Sequence, residues 1–453
     1  MNIETKPAPA DVAALPTGTN LNTPLRLPCG VTLPNRLVKA AMSEMVADAH
    51  NRATTAHQTL YRAWAAHGPG LLLTGNVQVD VRHLEHPGNV VIQGAQDATA
   101  RAALRAWSAA AKSGGGHVWM QLAHAGRQTD RFVNAAPKAP SAVALVLPGV
   151  RFGQPVPLTP AEILDLVDRF TTAATIARDT GFDGVELHAA HGYLFSQFLS
   201  PLSNQRRDDW GGDLRHRARF LLDTVQAIRA RVGPDYPIAV KLNSADFQRG
   251  GFSAGDSQTV AGWLDDASVD VIEISGGNYE QMADNGGFRA VTDDDRQRAS
   301  RDRESYFARF APEMRRHLTR TKLMVTGGFR TAEGMVHAVA EGAVDLVGMA
   351  RPLCVDPEAP AALLAGRPVD LTQPSLSLGP GLLGPTSSIK RVRLLNGLAS
   401  ASWYNEQVIR LAAGMRPDRR LSLLTATVRT QVRSRRMANA LEMHHPPGAH
   451  ERT

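Results

Sequence analysis

The chain predicts a (β/α)8 barrel with an N-terminal β-hairpin cap and a C-terminal helical extension. Three observations carry this. Eight short apolar runs, bounded by Gly, Pro or polar residues, are each followed by a segment with helical spacing, over about 320 residues. The runs are nearly continuous in Val, Ile and Leu, as strands covered on the outside by helices are. No G-x-G-x-x-G opens a helix after the first strand, which disfavours a dinucleotide-binding doubly wound sheet.

Taken in order, residues 1–24 are rich in Ala, Pro, Thr and Asn and read as a mobile arm. Leu25-Arg26-Leu27 and Val31-Thr32-Leu33 flank Pro28-Cys29-Gly30 as a small hairpin. Strands are expected at Arg36 to Ala41, Gly70 to Thr74, His117 to Gln121, from Gly184 to about His188, at Pro237 to Leu242, Val269 to Ile274, Lys322 to Thr326, and Val344 to Gly348. Helices are expected between them, near Thr54 to His67, Ala98 to Lys112, Leu214 to Val232, Gln258 to Asp266, Arg303 to Leu318 and Ala332 to Glu341. The best-signalled helix opens on Thr159-Pro160-Ala161-Glu162, a capping box with proline at the first helical position, and Gly181 closes it. A Pro- and Gly-bearing loop of more than about thirty residues after the third strand reads as functional, of the kind that forms lids. The barrel is assigned to residues 25–365 and a helical extension, packing on the barrel or on a partner subunit, to residues 366–414.

Composition narrows the function classes. The 453 residues are 43% hydrophobic and 21% charged, as in globular proteins. Neither a signal-peptide core nor a membrane-length apolar run occurs, so a cytoplasmic location without membrane contact is expected. Cys29 and Cys354 lie far apart, excluding a C-x-x-C framework; both read as ordinary thiols. Of the net charge of +7, most sits in residues 415–453, where eight arginines face Asp418, Glu442 and Glu451. That stretch reads as a basic, disordered tail, and the remainder is too close to neutral to suggest nucleic-acid binding.

In a (β/α)8 barrel chemistry sits at the C-terminal strand ends. Here those ends carry Ala41-Met42-Ser43, Gly75-Asn76, Gln121, the loop of His188, His191 and Tyr193, then Lys241, Gly327-Gly328, and Ala350-Arg351. Small residues on the last two strands suit a phosphate, to which Arg351 adds a charge-assisted contact. Gln121 and Lys241 are polar ends on apolar strands. Together these positions describe a planar hydrogen-bonding ligand with a phosphate at one end, which flavin mononucleotide (FMN) satisfies.

At this point the residues resemble the old yellow enzymes, flavin-dependent NAD(P)H oxidoreductases. The matching motifs are Pro34-Asn35-Arg36, the His188-x-x-His191-x-Tyr193 loop, Ser203-Asn204 and Trp210-Gly211-Gly212 followed by Arg217-Ala218-Arg219-Phe220. Gly327-Gly328 and Asp345-Leu346-Val347 with Arg351 complete them. The resemblance implies bound FMN, NADH or NADPH as reductant, and an electron-poor alkene such as an enone or nitroalkene as oxidant. It places Gln121 at the flavin's pyrimidine edge, Lys241 near N1 and the C2 carbonyl, and Ser43 near O4. It makes His188 and His191 donors to the substrate's activating oxygen and Tyr193 the proton source. Lys241 stands where the family commonly has arginine, Ser43 where its branches carry threonine or cysteine, and Asn76 where a small residue is expected.

Other readings stay open on the residues alone. Lys241 also suits Schiff-base chemistry in a phosphate-binding lyase or aldolase, and a flavin binder without turnover would carry the same cofactor residues. A metal at His188 and His191 needs a third ligand at a workable spacing. Glu186, inside its strand, reads as a structural partner, and Trp403 or Tyr404 could reach the site from the extension. The sequence leaves homo-oligomerisation open.

Overall fold

The computed structural model describes residues 20–147, 152–275, 310–329, 331–371 and 374–444. Nearly all of the expected N-terminal arm, the loop from residue 276 with the start of its helix, and residues 445–453 lie outside the described residues.

Eight parallel strands form the barrel: β1 Leu37–Lys39, β2 Leu71–Leu73, β3 His117–Ala123, β4 Gly184–Ala189, β5 Ile238–Asn243, β6 Val271–Ser275, β7 Lys322–Thr326 and β8 Leu346–Met349. Each pairs with its neighbour, and β8 returns to β1, so the sheet closes on itself. A two-residue strand, Val77–Gln78, runs beside the end of β3.

Side chains alternate with the pleat. On β5, Ile238, Val240 and Leu242 join the apolar layer under the helices, while Ala239 and Lys241 face inward. Read this way around the barrel, the interior is layered. Val38, Leu71, Leu73, Trp119, Val271, Met324 and Leu346 form an apolar plug with Leu25, Leu27 and Leu33 of the hairpin, which closes the bottom. One step up lies a polar belt of Gln121, Glu186, Lys241 and Glu273, all buried. Above it come His188, Asn243 and Ser275 at the mouth. Asn35 sets the entry to β1: its Oδ1 accepts from Leu37 N at 3.1 Å and Gly70 N at 2.8 Å.

The outer helices are α1 Thr55–Ala65, α2 Ala98–Ala111, α3 Pro160–Asp179, α4 Leu214–Val232, α5 Ala254–Asp266 and α6 Ala332–Ala340, with residues 310–315 helical after β6. The expected capping box is formed, Thr159 and Glu162 exchanging both bonds. Helix α5 starts four residues before its expected position because Ser253 and Asp256 form a second box.

Two long helices follow the barrel, α7 Lys390–Ala412 and α8 Leu423–His444. The tail expected to be disordered from residue 415 is therefore helical over most of its length. Its arginines obscure small apolar positions, Leu423, Ala426 and Leu441, which are buried. Arg433 pairs with Glu406 of α7 at 2.6 Å. Gln407 clamps the turn, donating to Asp418 O at 3.0 Å and accepting from Asp418 N at 2.7 Å. Trp403 gives its indole N–H to Leu421 O at 2.9 Å, so it serves this hairpin and not the barrel mouth. Helix α7 packs on α1, and Leu394 at its start meets Leu145 and Leu147 of the long loop after β3. Among the described residues, no helix is long and apolar enough to cross a membrane.

Candidate functional site

The loop after β4 gathers three of the expected side chains. His188 is the last inward residue of its strand, and its Nδ1 accepts the Ala190 N–H at 3.3 Å. That assigns the ring proton to Nε2, a donor. The chain then turns through positive φ at His191 (60°) and Gly192 (78°). His191 is held by its own N–H to Asn243 Oδ1 (3.1 Å) and by Nε2 against Ser275 Oγ (2.7 Å). The His188 ring lies 5.1 Å from that of His191 and 4.7 Å from that of Tyr193. Burial, then the neighbouring His191 and Lys241, hold His188 well below the usual imidazole range. Burial and Lys241 bring His191 down to about 3. Both rings are neutral at pH 7, which suits hydrogen-bond donation to an oxygen.

The downstream motif residues fasten this loop from behind. Asn204 Nδ2 donates to Phe198 O and Trp210 O, both at 2.8 Å. Arg217 donates to Leu199 O and Gly212 O at 2.8 and 2.7 Å. Their role is scaffolding.

Beneath the histidines, the belt is tightly bonded. Gln121 Nε2 donates to Glu186 Oε2 and Lys241 Nζ to Glu273 Oε1, each at 2.6 Å. Burial and the charge of Glu273 raise Glu186 well above the usual carboxylate range. Burial pushes Glu273 up as well, but Lys241 and further hydrogen bonds hold it low. Removing one partner of such a buried pair costs about 3–5 kcal/mol. Glu186 has the structural partner expected of it. Glu273 was missed by sequence reading, although its signal exists: Val271, Glu273 and Ser275 alternate with Ile272 and Ile274.

At the ends of β1 and β2, Ser43 and Asn76 come together through Glu85. Ser43 Oγ donates to Glu85 Oε2 at 2.8 Å and Asn76 Nδ2 to the same oxygen at 3.0 Å. Asn76 Oδ1 accepts from Asn89 at 2.8 Å. The hydroxyl proton of Ser43 is thus engaged within the protein. Behind them Glu44 accepts from Gly75 N at 2.7 Å and from the Tyr61 hydroxyl. Lys39, wholly buried, donates to Leu73 O at 2.6 Å, and burial lowers its pKa to about 8. Ala41 and Met42 sit in the same turn, with Met42 Sδ 3.4 Å from Cys354 Sγ. Burial pushes the Cys354 thiol up to about 12, which disfavours the reactive thiolate.

The last two strands bring the remaining expected residues side by side, because Thr326 of β7 is in register with Gly348 of β8. Gly327 and Gly328 have φ of 85° and 89°, which favours glycine at both. A Cβ on Gly327 would meet nothing within 4 Å, so its backbone borders open space. Ala350 and Arg351 open the short helix Arg351–Val355 next to it. An open backbone cradle with an arginine on one side, and amide, ammonium and imidazole groups on the other, fits a flavin with a terminal phosphate.

Among the described residues, Asp80, His83 and His124 form a cluster with metal-type donors. Its hydrogen bonds oppose a metal. His83 Nε2 accepts from Lys138 N and His124 Nδ1 from Gly126 N, which leaves protons on the facing nitrogens. Arg82 also chelates Asp80.

Residues 20–370 match the NADH:flavin oxidoreductase / NADH oxidase family. The chain is 38% identical over 356 residues to the NADH-dependent flavin oxidoreductase iliE of Neonectria, covering 74% of this chain and 46% of that protein. It is 36% identical over 360 residues to the protein of the same name from Hypocrea jecorina, covering 75% and 88%. The chain thus spans less than half of the first relative and most of the second. Among solved structures, a 2-naphthoyl-CoA reductase in complex with 2-naphthoyl-CoA superposes with a TM-score of 0.70 at 25% identity, over 77% of this chain and 52% of that one. The motifs, the barrel and the family match agree: the chain belongs to the NADH:flavin oxidoreductase / NADH oxidase family, as an FMN-containing oxidoreductase that uses NADH or NADPH.

Proposed function

We propose that the protein reduces the C=C bond of electron-poor alkenes. The observation that carries this is the patch formed by His188, His191 and Tyr193 directly above Gln121 and Lys241. FMN, when held by these residues, would supply hydride chemistry: hydride taken from NAD(P)H and passed to the alkene carbon β to the activating group.

The side chains supply the rest. Gln121 and Lys241 would hold the pyrimidine edge of the cofactor, with Ser43 and Asn76 on the opposite rim. Gly327, Gly328, Ala350 and Arg351 would hold its phosphate. His188, through Nε2–H, and His191 would donate to the carbonyl or nitro oxygen, where negative charge grows as hydride adds at the β carbon. Donors fixed in advance stabilise that charge most. The Tyr193 hydroxyl would then protonate the α carbon, completing addition of H⁻ and H⁺ across the double bond. Lys241 Nζ lies 2.6 Å from Glu273 Oε1 in a buried ion pair, so the group that Schiff-base chemistry would need is engaged within the protein.

Tyr193→Phe is the test. Alkene reduction is expected to slow by about 10²–10⁴-fold, with flavin reduction by NAD(P)H unaffected in anaerobic stopped-flow. Equal losses in both half-reactions would remove Tyr193 from the proton-donor role, and a lack of turnover with every enone and nitroalkene would reject the activity itself.

A further inference from the structure

Lys241 is expected to bring positive charge to the N1 and C2 edge of the flavin, but here that charge already has an owner. Its Nζ lies 2.6 Å from Glu273 Oε1, with both side chains buried. One strand further round, Glu186 binds Gln121, the other side chain assigned to that edge. Two buried carboxylates thus share the belt with one ammonium. Lys241 faces Glu273 on β6 and His188 on β4 in register, and Lys39, the last residue of β1, gives its ammonium to Leu73 O. The imidazoles are neutral, so Lys241 and Glu273 are the charges that meet the cofactor from this side.

We propose that Glu273 is a positioning residue that fixes Lys241 and mutes its charge, holding the reduction potential of the bound flavin down. A flavin gains negative charge at its N1 and C2 edge when reduced, and an unpaired lysine there would favour reduction. With Glu273 on the lysine, the reduced cofactor gains less and remains a stronger hydride donor. Glu186 has a different part. Burial and the charge of Glu273 raise its carboxyl well above the usual range, and its part is to accept the Gln121 hydrogen bond at 2.6 Å.

The proposal rests on the flavin placing that edge at Lys241, and its test separates the two. The readout is the two-electron midpoint potential of the FMN-loaded protein, measured by dye equilibration for wild type, Lys241→Gln, Glu273→Gln and Glu186→Gln. Glu273→Gln is expected to raise the equilibrium constant for reduction at least tenfold, about 30 mV for a two-electron couple. Lys241→Gln is expected to lower it by a similar factor, and Glu186→Gln to change it less than about threefold, about 14 mV on the same scale. An unchanged or lowered potential in Glu273→Gln overturns the proposal. An unchanged potential in Lys241→Gln overturns the placement of the flavin as well. If Glu273→Gln does not fold, Glu273→Asp retracts the carboxylate by one methylene and is expected to raise the potential by a smaller factor; no rise overturns the proposal equally.

Discussion

Several imidazoles are buried with lowered pKa: burial lowers His57 to about 4, burial and Lys241 bring His191 to about 3, and burial with the neighbouring His191 and Lys241 holds His188 well below the usual imidazole range. In the unfolded chain each titrates near about 6.5. Below that pH the unfolded state binds protons that the folded state refuses, so stability present above it is lost as pH falls toward the folded values. Each such proton contributes a slope of about 1.4 kcal/mol per pH unit. The thermal midpoint is expected to be flat from pH 7 to 8 and to drop between pH 6 and 4, less steeply in His57→Gln; scanning calorimetry across that range checks it. At this scale the sequence was legible where chemistry lies within one loop, as with His188, His191 and Tyr193. It was silent on Glu85 and Glu273, whose partners arrive from other strands and exist only once the barrel closes.

Elements were legible where period and caps agreed. The strand cores and α3 stand where expected, because inward and outward residues alternate cleanly and Thr159 marks a start. Boundaries moved where a cap went unread, as at Ser253, and α8 was hidden because arginine outnumbers its small buried residues. One element-scale demand was invisible beforehand. Gly184 lies under the Trp119 indole, and a Cβ there would sit 2.7 Å from the ring. Both positions are fully interior to the barrel, so the ring has little freedom to retreat. Gly184→Ala is expected to destabilise the fold by about 1–3 kcal/mol, seen as a lower urea midpoint at unchanged slope; a midpoint equal to wild type would mean that β3 and β4 yield.

At the scale of the molecule, the helical pair α7 and α8 lies outside the family match, which ends at residue 370, yet it braces the mouth of the barrel. His86, next to Glu85, meets Ser434 of α8 through Nε2 and Oγ at 2.6 Å. Leu394 of α7 secures the long loop after β3 through Leu145 and Leu147. Leu394→Asp is expected to raise the KM for the alkene severalfold while FMN content stays at wild-type level; steady-state kinetics with flavin quantitation checks this, and unchanged KM would make the brace dispensable.

The apolar plug below the belt has a consequence for timing. With the hairpin leucines sealing one end, everything the interior exchanges must pass through the other. Glu186, whose carboxyl burial and the charge of Glu273 raise well above the usual range, would exchange its proton by the same door that would admit the proposed alkene, so an occupied mouth would act as a valve. In heavy water, the interior would keep its light isotope for as long as a ligand stays seated and release it in step with departure.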